Sequence, residues 1–88
     1  MKKAYITLVK KALSLGFTVS VFDGEIWDVK RSTKYKEIID SIESVEQAEL
    51  RFRDGDEIVG WARVLCDLDP EETVADHTVA DWIETALA

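Results

Sequence analysis

The sequence predicts an α+β domain, α-β-β-α-β-β-α: a four-stranded antiparallel sheet of two hairpins with helices packed on one face. Three observations predict it. Two short runs alternate apolar and polar residues and then meet Asp-Gly, "TVSVFDG" at 18–24 and "ELRFRDG" at 49–55. Each is followed by a second apolar run that carries a tryptophan, Trp27 or Trp61. Stretches with helical apolar spacing stand before, between and after these pairs. Runs joined by Asp-Gly pair as hairpins, and a sheet with one apolar face needs helices to cover it.

Residues 3–15 read as a helix, because Tyr5, Leu8, Val9, Ala12 and Leu13 form one stripe at i, i+3, i+4 spacing. Gly16 suits the position just past its end, where φ turns positive. In residues 17–22, Phe17, Val19 and Val21 alternate with Thr18, Ser20 and Phe22. A two-residue loop would set Val21 against Ile26 and Trp27 opposite Ser20. A three-residue loop sets Val19 against Trp27 and Phe17 against Val29. The second choice gathers Phe17, Val19, Val21, Trp27 and Val29 on one face, and a one-residue slip would turn an apolar set to water. The expected turn is type I with Gly24 in the left-handed bulge position.

Ser32 or Thr33 then caps a helix over 34–43, with Tyr35, Ile38, Ile39 and Ile42 inward. Ser44 to Gln47 has capping-box spacing and predicts one more helical turn. Residues 48–53 alternate, with Ala48, Leu50 and Phe52 in and Glu49, Arg51 and Arg53 out. A four-residue loop at 54–57 pairs Phe52 with Val59 and Leu50 with Trp61. Trp27 and Trp61 are thereby expected in the core, one per hairpin. The fourth strand, from Ile58 to about Cys66, is apolar on both faces and belongs inside the sheet. Asp69-Pro70-Glu71-Glu72 signals a helix start. Helical spacing is poor until Thr78, so 70–76 reads as a short helical turn or an ordered loop. Val79, Trp82, Ile83, Ala86 and Leu87 give the last helix, 79–87. The unit ββα thus occurs twice.

The 88 residues make one domain, 1–88, whose core must be economical, since a chain this short buries roughly 60–65% of its unfolded surface. The single cysteine, Cys66, forms no internal disulfide, which suits a reducing cytoplasm. The first apolar run, residues 4–9, is too short for a signal peptide or a membrane span. The chain therefore reads as cytoplasmic. Net charge is −7 and unevenly placed. Residues 1–63 hold all eleven Lys and Arg together with eleven acids. Residues 64–88 hold Asp67, Asp69, Glu71, Glu72, Asp76, Asp81 and Glu84 and no base.

Nothing in the sequence assembles a catalytic centre. It has no Gly-rich phosphate loop, no Cys/His cluster and no nucleophile elbow. Asp76-His77 pairs a carboxylate with an imidazole but has no nucleophile beside it. Asp54-Gly55-Asp56-Glu57 lacks the distal bidentate Glu of a calcium loop and reads as a solvated turn. No catalytic, cofactor or metal residue is expected, and the chain is not read as an enzyme.

Several stretches, "VSVFDGEIWDVKRST", "GWA" and "VADHT", resemble small accessory proteins of enterobacterial tailed phages and related mobile elements. Those carry a VSV-(Y/F)-DGE-x-W-x-(V/L)-K-x-ST pattern, then GWA, then ADY(S/T). His77 stands here where Tyr is usual. The resemblance implies context only: accessory proteins of this kind bind host proteins. With the acidic C-terminal third, it makes the first expectation a host protein, possibly nucleic-acid-processing or defensive, bound through Asp67, Asp69, Glu71, Glu72, Asp76, Asp81 and Glu84. One alternative is weak nucleic-acid binding by Lys30, Arg31, Lys34, Arg51 and Arg53. There Glu25, Asp28 and Glu49 would neutralise much of the surface, and the net charge opposes a polyanion. Another is a homodimer through an uncovered sheet face, with Phe22, Ile26, Ile58 and Val64 between the chains.

Overall fold

A computed structural model describes residues 4–65 and 73–87. It is an α+β structure with the order α1 (Ala4–Ser14), β1 (Thr18–Phe22), β2 (Trp27–Ser32), α2 (Tyr35–Glu43), β3 (Gln47–Asp54), β4 (Glu57–Leu65), β5 (Val74–His77) and α3 (Asp81–Leu87). The sheet is antiparallel throughout and has five strands, in the order β2-β1-β3-β4-β5. The expected count of four is corrected by β5, which adds to the β4 edge where 70–76 was read as a helical turn or loop. Residues 70–72 of that stretch lie outside the described residues.

The stripe of α1 is buried as its spacing predicts: Tyr5, Leu8, Val9 and Ala12. The helix closes in a Schellman motif. Gly16 N–H bonds Leu13 O at 3.1 Å, Phe17 N–H bonds Ala12 O at 3.0 Å, and Gly16 takes φ 83°. The start of α2 differs from expectation, since Lys34 holds the cap position without a side-chain bond. Ser32 acts one turn earlier: its Oγ accepts from Lys34 N–H at 3.0 Å and donates to Glu37 Oε2 at 2.9 Å. The helical turn expected at 44–47 does not form, and Gln47 opens β3.

Both hairpin registers differ from the sequence reading, each for a local reason. In the first, the Asp23 carboxylate accepts from Glu25 N–H and Ile26 N–H, both at 2.9 Å, and Asp23 N–H donates to Ile26 O at 3.1 Å. These bonds close a four-residue loop, so Trp27 pairs with Phe22. Val21 pairs with Val29 and Val19 with Ser32, so β2 carries an extra residue at two places. The first bulge sends Trp27 and Val29 to opposite faces. In the second hairpin, Asp54 pairs with Glu57 around a two-residue Gly55-Asp56 loop. An irregularity follows, and Phe52 then faces Gly60, Leu50 faces Ala62 and Ala48 faces Val64. That is one residue away from the expected pairing, and it turns Trp61 outward.

The core gathers Tyr5, Leu8, Val9 and Ala12 of α1, Ile38, Ile39 and Ile42 of α2 and Ile83 of α3 against Val19, Val21, Val29, Ala48, Leu50, Phe52, Ala62 and Val64 of the sheet. α1 packs against both other helices, so all three lie on one face. The tryptophan of the core is Trp82, not Trp27 or Trp61. Its ring stands edge-on to Phe52 and Phe17, with centroids at 4.8 and 5.2 Å, and its Nε1–H donates to Val59 O at 3.0 Å. Gly60 makes room for it, since a Cβ there would lie 2.7 Å from Ile83 Cδ1 and 3.2 Å from Trp82 Cζ2.

Candidate binding face

Among the described residues, no helix or strand covers the other side of the sheet. Alternation decides what it shows. Because Leu50 and Phe52 point into the core, Glu49, Arg51 and Arg53 point out. Because Val19 and Val21 point in, Thr18, Ser20 and Phe22 point out. The register sets these in rows across the strands: Ser20, Arg51 and Trp61 in one, Phe22, Glu49, Arg63 and Asp76 in the next, and Thr18 with Arg53 in a third.

One part of this face is concave. A groove of about 330 Å³ is lined by Ser20, Trp27, Lys30, Arg31, Arg51 and Arg53. Ser20 is its floor: the side chain is small and nearly buried, and its Oγ accepts from Arg31 N–H at 2.9 Å. Trp27 forms one wall. Phe22 packs against the indole at a centroid distance of 5.0 Å, and the Arg51 guanidinium carbon lies 4.9 Å from the ring centroid. That distance is within cation–π range. Arg31 sits in the second bulge of β2 with φ 47°, a left-handed conformation that costs a non-glycine residue about 1–2 kcal/mol. Besides the Ser20 bond, its guanidinium Nη1 donates to Asp56 Oδ1 at 3.1 Å. Asp56 is almost fully exposed, so this ion pair is weak.

Four of the five cations proposed from the sequence therefore converge: Lys30, Arg31, Arg51 and Arg53. Lys34 does not join them; it stands exposed at the start of α2. The expected neutralisation is only partial. Asp28 leaves the face, with its carboxylate accepting from Ser41 Oγ of α2. Glu49 stays, opposite Arg63. Sequence reasoning missed Trp27 as a wall of the groove. The available signal was Asp23, whose side chain is suited to a turn longer than Asp-Gly alone suggests.

The other expected sites fare differently. Asp67, Asp69, Glu71 and Glu72 lie outside the described residues, as does Cys66. Asp76 is exposed on β5 opposite Arg63, while Asp81 and Glu84 are exposed on α3. One residue of the set proposed for a homodimer is corrected. Val64 is fully buried in the core, and Ile26 and Ile58, 61% and 50% exposed, lie at opposite ends of the sheet. The His77 Nδ1 is hydrogen-bonded to Thr78 O at 2.8 Å. No group of three or more His, Cys, Asp or Glu is placed to hold a metal ion among the described residues. No helix there is long and apolar enough to cross a membrane.

Fold and face together define an α+β domain with helices behind an antiparallel sheet and a basic, aromatic groove in front. Comparison with known proteins finds no matching family model, no similar curated protein and no similar solved structure.

Proposed function

We propose that the chain is a non-enzymatic binding module, a small phage-type accessory protein of the bacterial cytoplasm, that holds an anionic partner against the open face of its sheet. One observation carries this reading: Lys30, Arg31, Arg51 and Arg53 converge with Trp27 around a single groove on the uncovered face. Four like charges held within one groove repel each other, and an anion relieves that repulsion. The test is retention on a heparin column at low salt. The wild-type protein should be retained, and a variant carrying R51E and R53E should flow through with an unchanged circular-dichroism spectrum. Equal elution of the two would refute the reading.

A second reading is a host protein bound through Asp67, Asp69, Glu71, Glu72, Asp76, Asp81 and Glu84. Its support is that Asp81 and Glu84 stand exposed on α3 without an ion pair among the described residues. The two readings call for partners of opposite charge. A pull-down from host lysate with the charge-reversed variant E71K/E72K/D76K separates them, because only the second reading loses its partner.

A further inference from the structure

We infer that the anionic partner is single-stranded nucleic acid, with one base seated in the groove against Trp27 and its neighbouring phosphates on Arg31, Arg51 and Arg53. This rests on the open-face reading and names its ligand.

Charge complementarity restricts the ligand to a polyanion, and three further observations select among polyanions. First, the groove has an aromatic wall. An acidic peptide or a sulfated sugar needs only the cations, whereas an unstacked base has a π-face that Trp27 can meet. Arg51 already lies over the same indole, so a base takes the place of the guanidinium on the ring or stacks on the guanidinium plane itself. Aromatic side chains and arginine planes are the two surfaces on which unpaired bases stack. Second, the groove is shallow and local. Its volume of about 330 Å³ lies at the lower end for small-molecule sites and leaves room for one base. In a duplex the base faces are stacked on one another, so Trp27 would have no π-face to meet. Third, the aromatic and basic residues continue across strands. Ser20, Arg51 and Trp61 occupy one row on β1, β3 and β4, so a chain crossing the strands leaves Trp27, passes Arg51 and reaches Trp61. An antiparallel sheet with helices behind and aromatics in front is an established way to hold splayed bases.

The net charge of −7 opposes a polyanion at long range, most strongly where salt is low and screening weak. The requirement for low salt comes instead from the local phosphate contacts, which release counterions. Three to four phosphate contacts on a single strand predict a slope of log K against log salt of about −2 to −3. Affinity should then fall roughly 20- to 50-fold between about 50 and 200 mM salt.

The experiment is fluorescence anisotropy of labelled oligothymidylate at low salt, with its duplex, heparin and poly-glutamate as competitors. Wild type is compared with Trp27→Ala, Trp27→Phe and Arg51→Lys. Loss of one stacked base corresponds to roughly 5- to 150-fold weaker oligonucleotide binding in Trp27→Ala. Trp27→Phe should recover most of it, and heparin binding should hardly change. Arg51→Lys keeps the charge and should still weaken the oligonucleotide more than heparin. Should Trp27→Ala fail to fold by circular dichroism, Trp27→Phe and Arg51→Lys decide the matter alone. Heparin or poly-glutamate bound as well as oligothymidylate, with no dependence on Trp27 or on the Arg51 plane, would overturn the inference and leave the open-face reading intact. No binding of any polyanion at low salt would overturn both.

Discussion

Gly60 is the residue whose replacement tests the packing reasoning most directly. It lies opposite Phe52 and beneath α3. A Cβ added there would come within 2.7 Å of Ile83 Cδ1 and 3.2 Å of both Trp82 Cζ2 and Thr78 Oγ1. None of these can retreat cheaply. Ile83 is fully buried, Trp82 is held between Phe17 and Phe52 with Nε1 bonded to Val59 O, and Thr78 Oγ1 accepts from Trp61 N–H at 3.1 Å. Overpacking of this kind costs about 1–3 kcal/mol. The reduced freedom of the unfolded chain in Gly60→Ala returns about 0.4–1 kcal/mol. A net loss of about 1–2 kcal/mol remains. With about 2.1 cal/mol/K of unfolding entropy per residue over 88 residues, each kcal/mol moves Tm by about 5 °C. Thermal unfolding followed by circular dichroism should therefore show Tm lower by about 5–10 °C. A cycle with Ile83→Val sharpens the test, because that change removes the clashing Cδ1 and alone costs about 0.5–1.5 kcal/mol. The double variant should be more stable than the sum of the singles predicts, by about 1 kcal/mol. A Gly60→Ala protein as stable as wild type, or additive energies in the cycle, would refute the reasoning.

Three other expectations concern the sheet and its turns. Arg31→Gly should raise stability by about 0.5–1 kcal/mol, since relief of the left-handed strain exceeds the added freedom of glycine, yet weaken heparin retention; a drop in Tm, or unchanged retention, would contradict the account of Arg31. Thr18 Oγ1 is buried without a hydrogen-bond partner among the described residues, so Thr18→Val should stabilise by about 1 kcal/mol in chemical denaturation, and a destabilised variant would count against it. The Asp23 carboxyl is held below its ordinary value of 3.8, chiefly by the backbone N–H of Ile26 and then by that of Glu25. A depressed carboxyl stabilises the turn above its unfolded value and loses that contribution as pH falls through the folded one. An NMR titration should place Asp23 below 3.8, with the Glu25 and Ile26 amide shifts following the same midpoint; a midpoint at or above 3.8 would exclude the turn bonds in solution.

The elements that the sequence made legible are those set by local periodicity. The buried stripe of α1, the buried Ile38, Ile39 and Ile42 of α2 (though not Tyr35, which is exposed), the Gly16 stop and the inward set Ala48, Leu50 and Phe52 all follow from spacing within one element. What was not legible depends on contacts between elements or on side chains bonding their own backbone. The loop length of the first hairpin depends on the two amides that Asp23 captures. The register of the second depends on Ile83 and Trp82 arriving from α3, more than twenty positions further along the chain. β5 is only four residues long and exists by pairing with β4, so no period announces it. Of the candidate site, Arg51, Arg53 and Ser20 could be placed on the outer face from alternation. Trp27 could not, because a single bulged residue decides which face it joins.

The basic face follows from the same constraints that build the core. Arg51 and Arg53 project together because the residues between and beside them, Leu50 and Phe52, are needed inside. β3 is the middle strand, so those two arginines occupy the centre of the open face, with no helix over them among the described residues. Gly60 then favours the register in which Trp61 lands beside Arg51, since a residue without a side chain fits opposite Phe52 under α3 without displacing Ile83. On the other flank the β2 bulges bring Trp27 and Arg31 around Ser20, whose small side chain leaves the space between them open. An acidic chain can therefore carry a cationic groove. Its seven C-terminal acids belong to residues 64–88, while the groove is built entirely from residues 20–53, within a segment of the chain whose charges cancel over residues 1–63. Within that balanced segment, strand order and register gather Arg31, Arg51 and Arg53 around one groove, while Asp28 turns away to Ser41.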